Sequence, residues 1–153
     1  MVQGSSVLQK HSQGRDNSME CSVKELSKYR FETSLEDIED AKIMYENGRY
    51  KNTLNRAYYS VFHAIKSVVV LDGFDSSKHS GVISYFNQNY VKTGIFTKEM
   101  SKIIRAASES REKADYHDFF IASKEEAEKQ IERALEFQEQ IRNFLIEKGI
   151  SIS

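Results

Sequence analysis

YKNTLNRAYYSVFHAIKSVVVL, residues 50–71, is the stretch whose pattern decides the fold. Leu54, Tyr58, Val61, Ile65 and Val68 recur at spacings of 4, 3, 4 and 3, which sets them on a single stripe of an α-helix. Asp72-Gly73 ends the run. Arg56, Tyr59, Ser60, His63 and Ser67 share a second side of the same helix. An ordinary surface helix would carry Lys and Glu there, so this aromatic and hydrogen-bonding face predicts burial against another helix or a second subunit. The simplest reading is structural, with Arg56 and Tyr59 pairing to an acidic helix and holding a bundle together.

The neighbouring segments are helical too. Upstream, Phe31, Leu35, Ile38, Ala41 and Tyr45 mark one face, Thr33-Ser34-Leu35-Glu36 has the spacing of a capping box, and Asn47-Gly48 offers a left-handed stop. Downstream, Ser80 is a candidate cap for a helix running to Tyr90, with Val82, Ile83 and Phe86 inward, and Thr97 caps another with Met100, Ile103, Ile104 and Ala107 inward. Ser123-Lys124-Glu125-Glu126 is a second capping box, opening a last helix to about Glu147 that buries Ala127, Ile131, Ala134, Ile141 and Phe144, and Lys148-Gly149 ends it. The chain of 153 residues has no proline and only 7 glycines, too little punctuation for a sandwich or small barrel. The expected fold class is all-α, an antiparallel bundle of four to five helices. Residues 1–22 are expected to be a disordered lead-in, with Met19 a candidate original start after a vector remnant; residues 23–149 form the helical domain and 150–153 a tail.

Composition excludes several functions. With 22 basic and 23 acidic residues the formal net charge is −1, which rules out a histone-like nucleic-acid binder but leaves room for a local basic patch. No apolar run approaches the ~18–20 residues that cross a bilayer, and a single cysteine, Cys21, excludes an internal disulfide framework or multi-Cys metal site. The expectation is a cytoplasmic protein without membrane association. His11, His63, His79 and His117 show no metal-ligand spacing, and neither a P-loop nor a GxGxxG is present, so no metal and no cofactor are expected.

Two motifs could carry chemistry. Arg111-Glu112-Lys113-Ala114-Asp115-Tyr116-His117 holds the residue types that cut RNA without metal. A histidine can exchange protons with the ribose 2′-hydroxyl or the leaving oxygen, and a guanidinium can stabilise the phosphorane. Six residues along a helix rotate by roughly 240°, so the pair converges only if the helix ends near Asp115 or if the two groups come from two subunits. A surface Arg beside a His is the plainer reading of the spacing alone. At the other motif, Lys78, His79 and Ser80 at a helix start could hold a phosphate or nucleotide, though Ser80 as a simple cap is the plainer reading.

Residues 50–64, YKNTLNRAYYSVFHA, resemble the signature helix of the HEPN domain, in its branch of small stand-alone bacterial and archaeal proteins. Lys78-His79-Ser80-Gly81-Val82, Val91-Lys92-Thr93-Gly94, and Arg111 to Tyr116 followed by the Ser123 cap agree in order and spacing, so the resemblance covers roughly residues 25–147. It implies a helical bundle, usually a homodimer, and in many members a metal-independent endoribonuclease whose motif is Arg, four to six residues, then His. Arg111 and His117, with five residues between them, match that motif and become the candidate catalytic pair. Arg56, Tyr59, Asp115 and Tyr116 become supporting residues, most simply through an Arg56–Asp115 charge pair. The resemblance further implies RNA as substrate and a minimal nucleotidyltransferase as partner in a toxin–antitoxin pair. The other role open to it is a non-catalytic module that binds a nucleotide or such a partner. Glu112 departs from the nuclease pattern, which often places Asn, Asp or His directly after the arginine.

Overall fold

The computed structural model describes the backbone of residues 13–152 and the side chains from residue 22 onward. It contains five α-helices: α1 (Gln13–Glu46), α2 (Tyr50–Val69), α3 (His79–Phe86), α4 (Lys98–Tyr116) and α5 (Lys124–Glu147). A 3-10 turn over Val70–Asp72 extends α2, and a π-helical turn over Asn87–Val91 extends α3. No strand forms among the described residues. None of these helices is long and apolar enough to cross a membrane.

α2 is the axis of the bundle and packs against all four other helices. Its predicted stripe is wholly buried: Tyr58, Val61, Ile65 and Val68 join the main core with Phe31, Ile38, Phe86, Ile103, Phe137 and Ile141, and Leu54 packs separately with Ala114 and Ala122. Of the predicted second face, Ser60 and Ser67 are buried under α1, whereas Arg56, Tyr59 and His63 are half-buried. Ser27 and Ser34 of α1 donate to the backbone carbonyls of Ser67 and Ser60. Gln138 of α5 donates to both oxygens of Ser34. Small hydroxyl residues at these positions let the two helices approach closely while leaving no buried donor unpaired.

The helix ends follow the sequence unevenly. Gly48, at φ 73°, supplies the left-handed residue that turns the chain from α1 into α2. Ser123 accepts from the Glu126 amide at 3.0 Å, as a cap should, yet the Glu126 carboxylate turns inward to Ser110 (2.7 Å) and Gln130 (2.8 Å). Thr33 is no cap, because α1 runs straight through it and its hydroxyl donates to the Tyr29 carbonyl one turn back. Ser80 lies inside α3, whose cap position is Lys78, and Thr97 precedes α4 without a side-chain capping bond.

α1 already begins at Gln13, inside the stretch expected to be disordered, since extending a packed helix adds one hydrogen bond per residue without a new nucleation cost. Residues 1–12 of that lead-in lie outside the described residues. At the other end Ile150 is buried and Ile152 packs on the core, so the last residues are docked rather than a free tail.

Candidate functional site

The site grows from the side of α2 that faces α4. Arg111 projects from α4 onto the tyrosine pair of α2, its guanidinium carbon 4.4 Å from the Tyr58 ring centroid and 5.8 Å from that of Tyr59. Tyr116, at the end of the same helix, lies 5.9 Å away on another side. One helical turn on, Asp115 approaches Arg111 to 3.6 Å and accepts from Asn55 of α2 at 3.0 Å. The aromatic faces and the long ion pair hold the cation without saturating it, and the buried Arg111 Nε has no partner among the described residues. Burial pushes the Tyr58 hydroxyl above its ordinary pKa against the opposing pull of Arg111.

Arg56 does not pair with Asp115. Its partner is Asp37 of α1, 2.9 Å from Nη2, and the same carboxylate lies 2.6 Å from His63 Nδ1. Asp37 is nearly buried, with 9% of its side chain exposed, so one carboxylate neutralises an arginine and orients an imidazole at the α1–α2 seam. The acidic helix that the second face of α2 required is therefore α1. His63 had no assigned role from sequence. Its signal is its place on the same side of α2 as Arg56, seven residues on, and nothing in the local pattern marks Asp37 as its partner. The expected Arg56–Asp115 pair does not form because Arg56 is taken by Asp37 of α1 and Asp115 by Asn55 and Arg111.

Lys78, His79 and Ser80 do not converge. Lys78 and Ser80 are exposed, whereas the half-buried His79 turns inward. Its Nδ1 lies 3.1 Å from the Tyr58 hydroxyl and its ring is 4.0 Å from that of Phe62. Burial, then Arg111, Lys66 and His63, hold its pKa below the usual histidine value. His79 thereby joins the Arg111 cluster, and its two neighbours stay outside it.

At the far end of α4 the helix stops at Tyr116, and His117 has extended backbone, φ −98° and ψ 120°. The boundary near Asp115 that convergence demanded is present. His117 is nevertheless exposed, and no hydrogen bond, ion pair or ring contact joins it to Arg111 among the described residues. The loop beyond it carries Phe119, 99% exposed at φ 63°, and Ile121, also exposed. A cleft of about 410 Å³, lined in part by Lys51, Asn55, Arg56 and Asp115, opens beside this helix end.

Comparison with known proteins places this arrangement. Residues 27–147 match the family model described as HEPN domain. A UPF0332 protein of Thermotoga maritima is 33% identical over 110 residues, covering 72% of this chain and 83% of the relative. Two proteins of Methanocaldococcus jannaschii, each named "Putative toxin", are 34% identical over 116 residues (76% of this chain, 86% of the relative) and 29% identical over 119 residues (78% and 81%).

Proposed function

Because the chain belongs to the HEPN domain family, we propose that it is a metal-independent endoribonuclease of the HEPN type, acting as the toxin half of a toxin–antitoxin pair. The toxin names of the two archaeal relatives support that role, and a minimal nucleotidyltransferase is the partner class the family implies. One observation carries the reading: Arg111 is a cation set on an aromatic platform, 17% of its side chain exposed and opposed by a carboxylate at 3.6 Å. A phosphodiester oxygen is a natural acceptor for such a guanidinium, whose fork matches two phosphate oxygens. The exposed imidazole of His117, which has no side-chain hydrogen bond or ion pair among the described residues, would reach a substrate lying across two copies of the chain. The proposed enzyme is accordingly a homodimer in which each Arg111 works with a His117 in a shared cleft. Glu112, exposed and about 100° around α4 from Arg111, points its charge away from that phosphate.

The test is RNA cleavage by purified protein in EDTA, wild type beside Arg111→Ala and His117→Ala. Activity that survives chelation and vanishes in both variants supports the reading; equal activity in all three refutes it. The absence of any Arg111–His117 contact within one chain also favours a second reading, a non-catalytic module that binds a nucleotide or the antitoxin partner. Calorimetric heat with ATP from a chain inert toward RNA would establish that alternative.

A further inference from the structure

Cleavage of RNA through its own 2′-hydroxyl needs two proton transfers, one from O2′ and one to O5′, and the Arg111–His117 motif provides one histidine. The remaining groups are gathered elsewhere. Around the half-buried ring of Tyr59 stand the guanidinium carbons of Arg56 (5.2 Å) and Arg111 (5.8 Å) and the imidazoles of His79 (5.8 Å) and His63 (5.9 Å). Lys66 adds a third cation, 5.9 Å from the neighbouring Phe62 ring. Against these, the contacting carboxylates among the described residues are Asp37, shared by Arg56 and His63, and Asp115, at 3.6 Å from Arg111. Three cations against two carboxylates make a locally positive patch on a chain whose formal net charge is −1. Among the described residues His79 contacts no carboxylate, and Asp75, whose charge acts on Lys66, is engaged by Arg30 at 3.6 Å.

Both imidazoles are anchored at one nitrogen and open at the other. His63 Nδ1 is bound to Asp37 and His79 Nδ1 to the Tyr58 hydroxyl. Neither Nε2 makes a hydrogen bond within the described chain or is sealed from solvent. Carboxylate binding fixes the neutral His63 tautomer with its proton on Nδ1 and a free lone pair on Nε2. When Tyr58 donates to His79 Nδ1, the His79 proton sits on Nε2, a donor beside Arg111.

We propose that Arg111, His79 and His63 form a phosphodiester-binding site within one chain, in which His63 accepts the proton of the attacking 2′-hydroxyl. Binding stands on the geometry alone; the proton transfer rests on the ribonuclease reading. As O2′ bonds to phosphorus its proton passes to His63 Nε2. The P–O5′ bond breaks, and O5′ takes a proton from the His117 imidazolium. The products are a 2′,3′-cyclic phosphate and a 5′-hydroxyl, with no water or other reactant consumed. Arg111 and His79 hold the non-bridging oxygens. Asp37 is a positioning residue. The charged or titratable groups facing His63 are Asp37 from α1, Arg56, Tyr59 and Lys66 from α2, His79 from α3 and, across Tyr59, Arg111 from α4.

The experiment titrates the wild-type chain with uridylyl-adenosine blocked by a 2′-O-methyl group, following the histidine ring signals by NMR. His63 and His79 should move along one saturation curve, and Arg111→Ala should weaken the affinity about tenfold. In parallel, His63→Gln should lower kcat on the unblocked dinucleotide about 100-fold or more, with little change in KM. If the probe moves neither ring, the site is refuted, whether or not the wild type cleaves RNA. If it moves both and nothing cleaves RNA, the binding site stands and the nuclease reading falls. Full kcat in a folded His63→Gln chain overturns the proton-acceptor role alone. Because the titration uses wild-type protein, it decides the binding claim even if that variant does not fold.

Discussion

Removing the carboxylate of Asp37 should cost the fold more than any other single charge. It accepts from Arg56 at 2.9 Å and from His63 at 2.6 Å and is 9% exposed, while Arg56 and His63 keep 33% and 27% of their side-chain surface. A hydrogen bond to a charged group contributes about 1.5–3 kcal/mol, and breaking a fully buried pair costs about 3–5 kcal/mol. Water reaching the partly exposed partners recovers some of this, so Asp37→Ala is expected to lose about 2–3 kcal/mol. The buried Arg56 Nε, already without a partner, gives the orphaned guanidinium no second anchor. With a urea m-value of roughly 2 kcal/mol per molar, the midpoint falls by about 1–1.5 M. Arg56→Ala combined with Asp37→Ala should cost less than the sum of the two, by about 1 kcal/mol. A loss below about 0.5 kcal/mol, or strict additivity, would refute the view that Asp37 ties α1 to α2.

His79→Gln should change how stability depends on pH. The folded pKa of His79 is held below the usual 6.5, so the unfolded chain takes up the proton first as pH falls through that value. Stability from this residue is thus complete above 6.5 and declines as pH drops toward the folded pKa. Denaturation curves at about pH 7.5 and 5.5 should show wild type losing ground to the variant, and the opposite trend would contradict the inward placement of His79. Phe119→Gly should stabilise by about 0.5–1 kcal/mol, since relieving a left-handed Phe gains about 1–2 kcal/mol against a glycine entropy cost of about 0.5–1; a lowered melting temperature would tell against that backbone. Tyr90→Phe removes a 2.8 Å donation to Asp72 from a nearly buried ring and should cost about 1 kcal/mol in urea denaturation. No loss there would mean that Asp72 is fully served by Tyr85, its other donor at 3.0 Å.

Features governed by local periodicity could be read from the residues. The α2 stripe and the inward face of α4 are where the spacing put them, because a helix must bury its apolar side, whereas on α5 Leu145 is buried and the expected Phe144 only half-buried. The Thr33 box misled because its Thr-x-x-Glu spacing also fits a helix interior: burial of Ser27, Ser34 and Ile38 against neighbouring helices carries α1 straight through. Capping geometry is a local preference that tertiary packing overrides. The site was legible in its members and not in its pairings. Arg111, Tyr59 and Asp115 could be named, but Asp37 lies 19 positions from Arg56 and 26 from His63, and only the α1–α2 crossing brings them together. Likewise His79 was grouped with Lys78 and Ser80 by adjacency, although successive residues at a helix start point in different directions.

The central claim is that Arg111 of one copy works with His117 of another, and subunit mixing tests it most directly. Arg111→Ala and His117→Ala chains, each inactive alone, are unfolded together, refolded and assayed on RNA in EDTA. A mixed dimer holds one intact Arg111 and one intact His117 on different chains, so statistical pairing should restore about a quarter of wild-type activity. A mixture that forms dimers and stays inactive, while wild type taken through the same refolding cleaves RNA, would contradict the shared cleft.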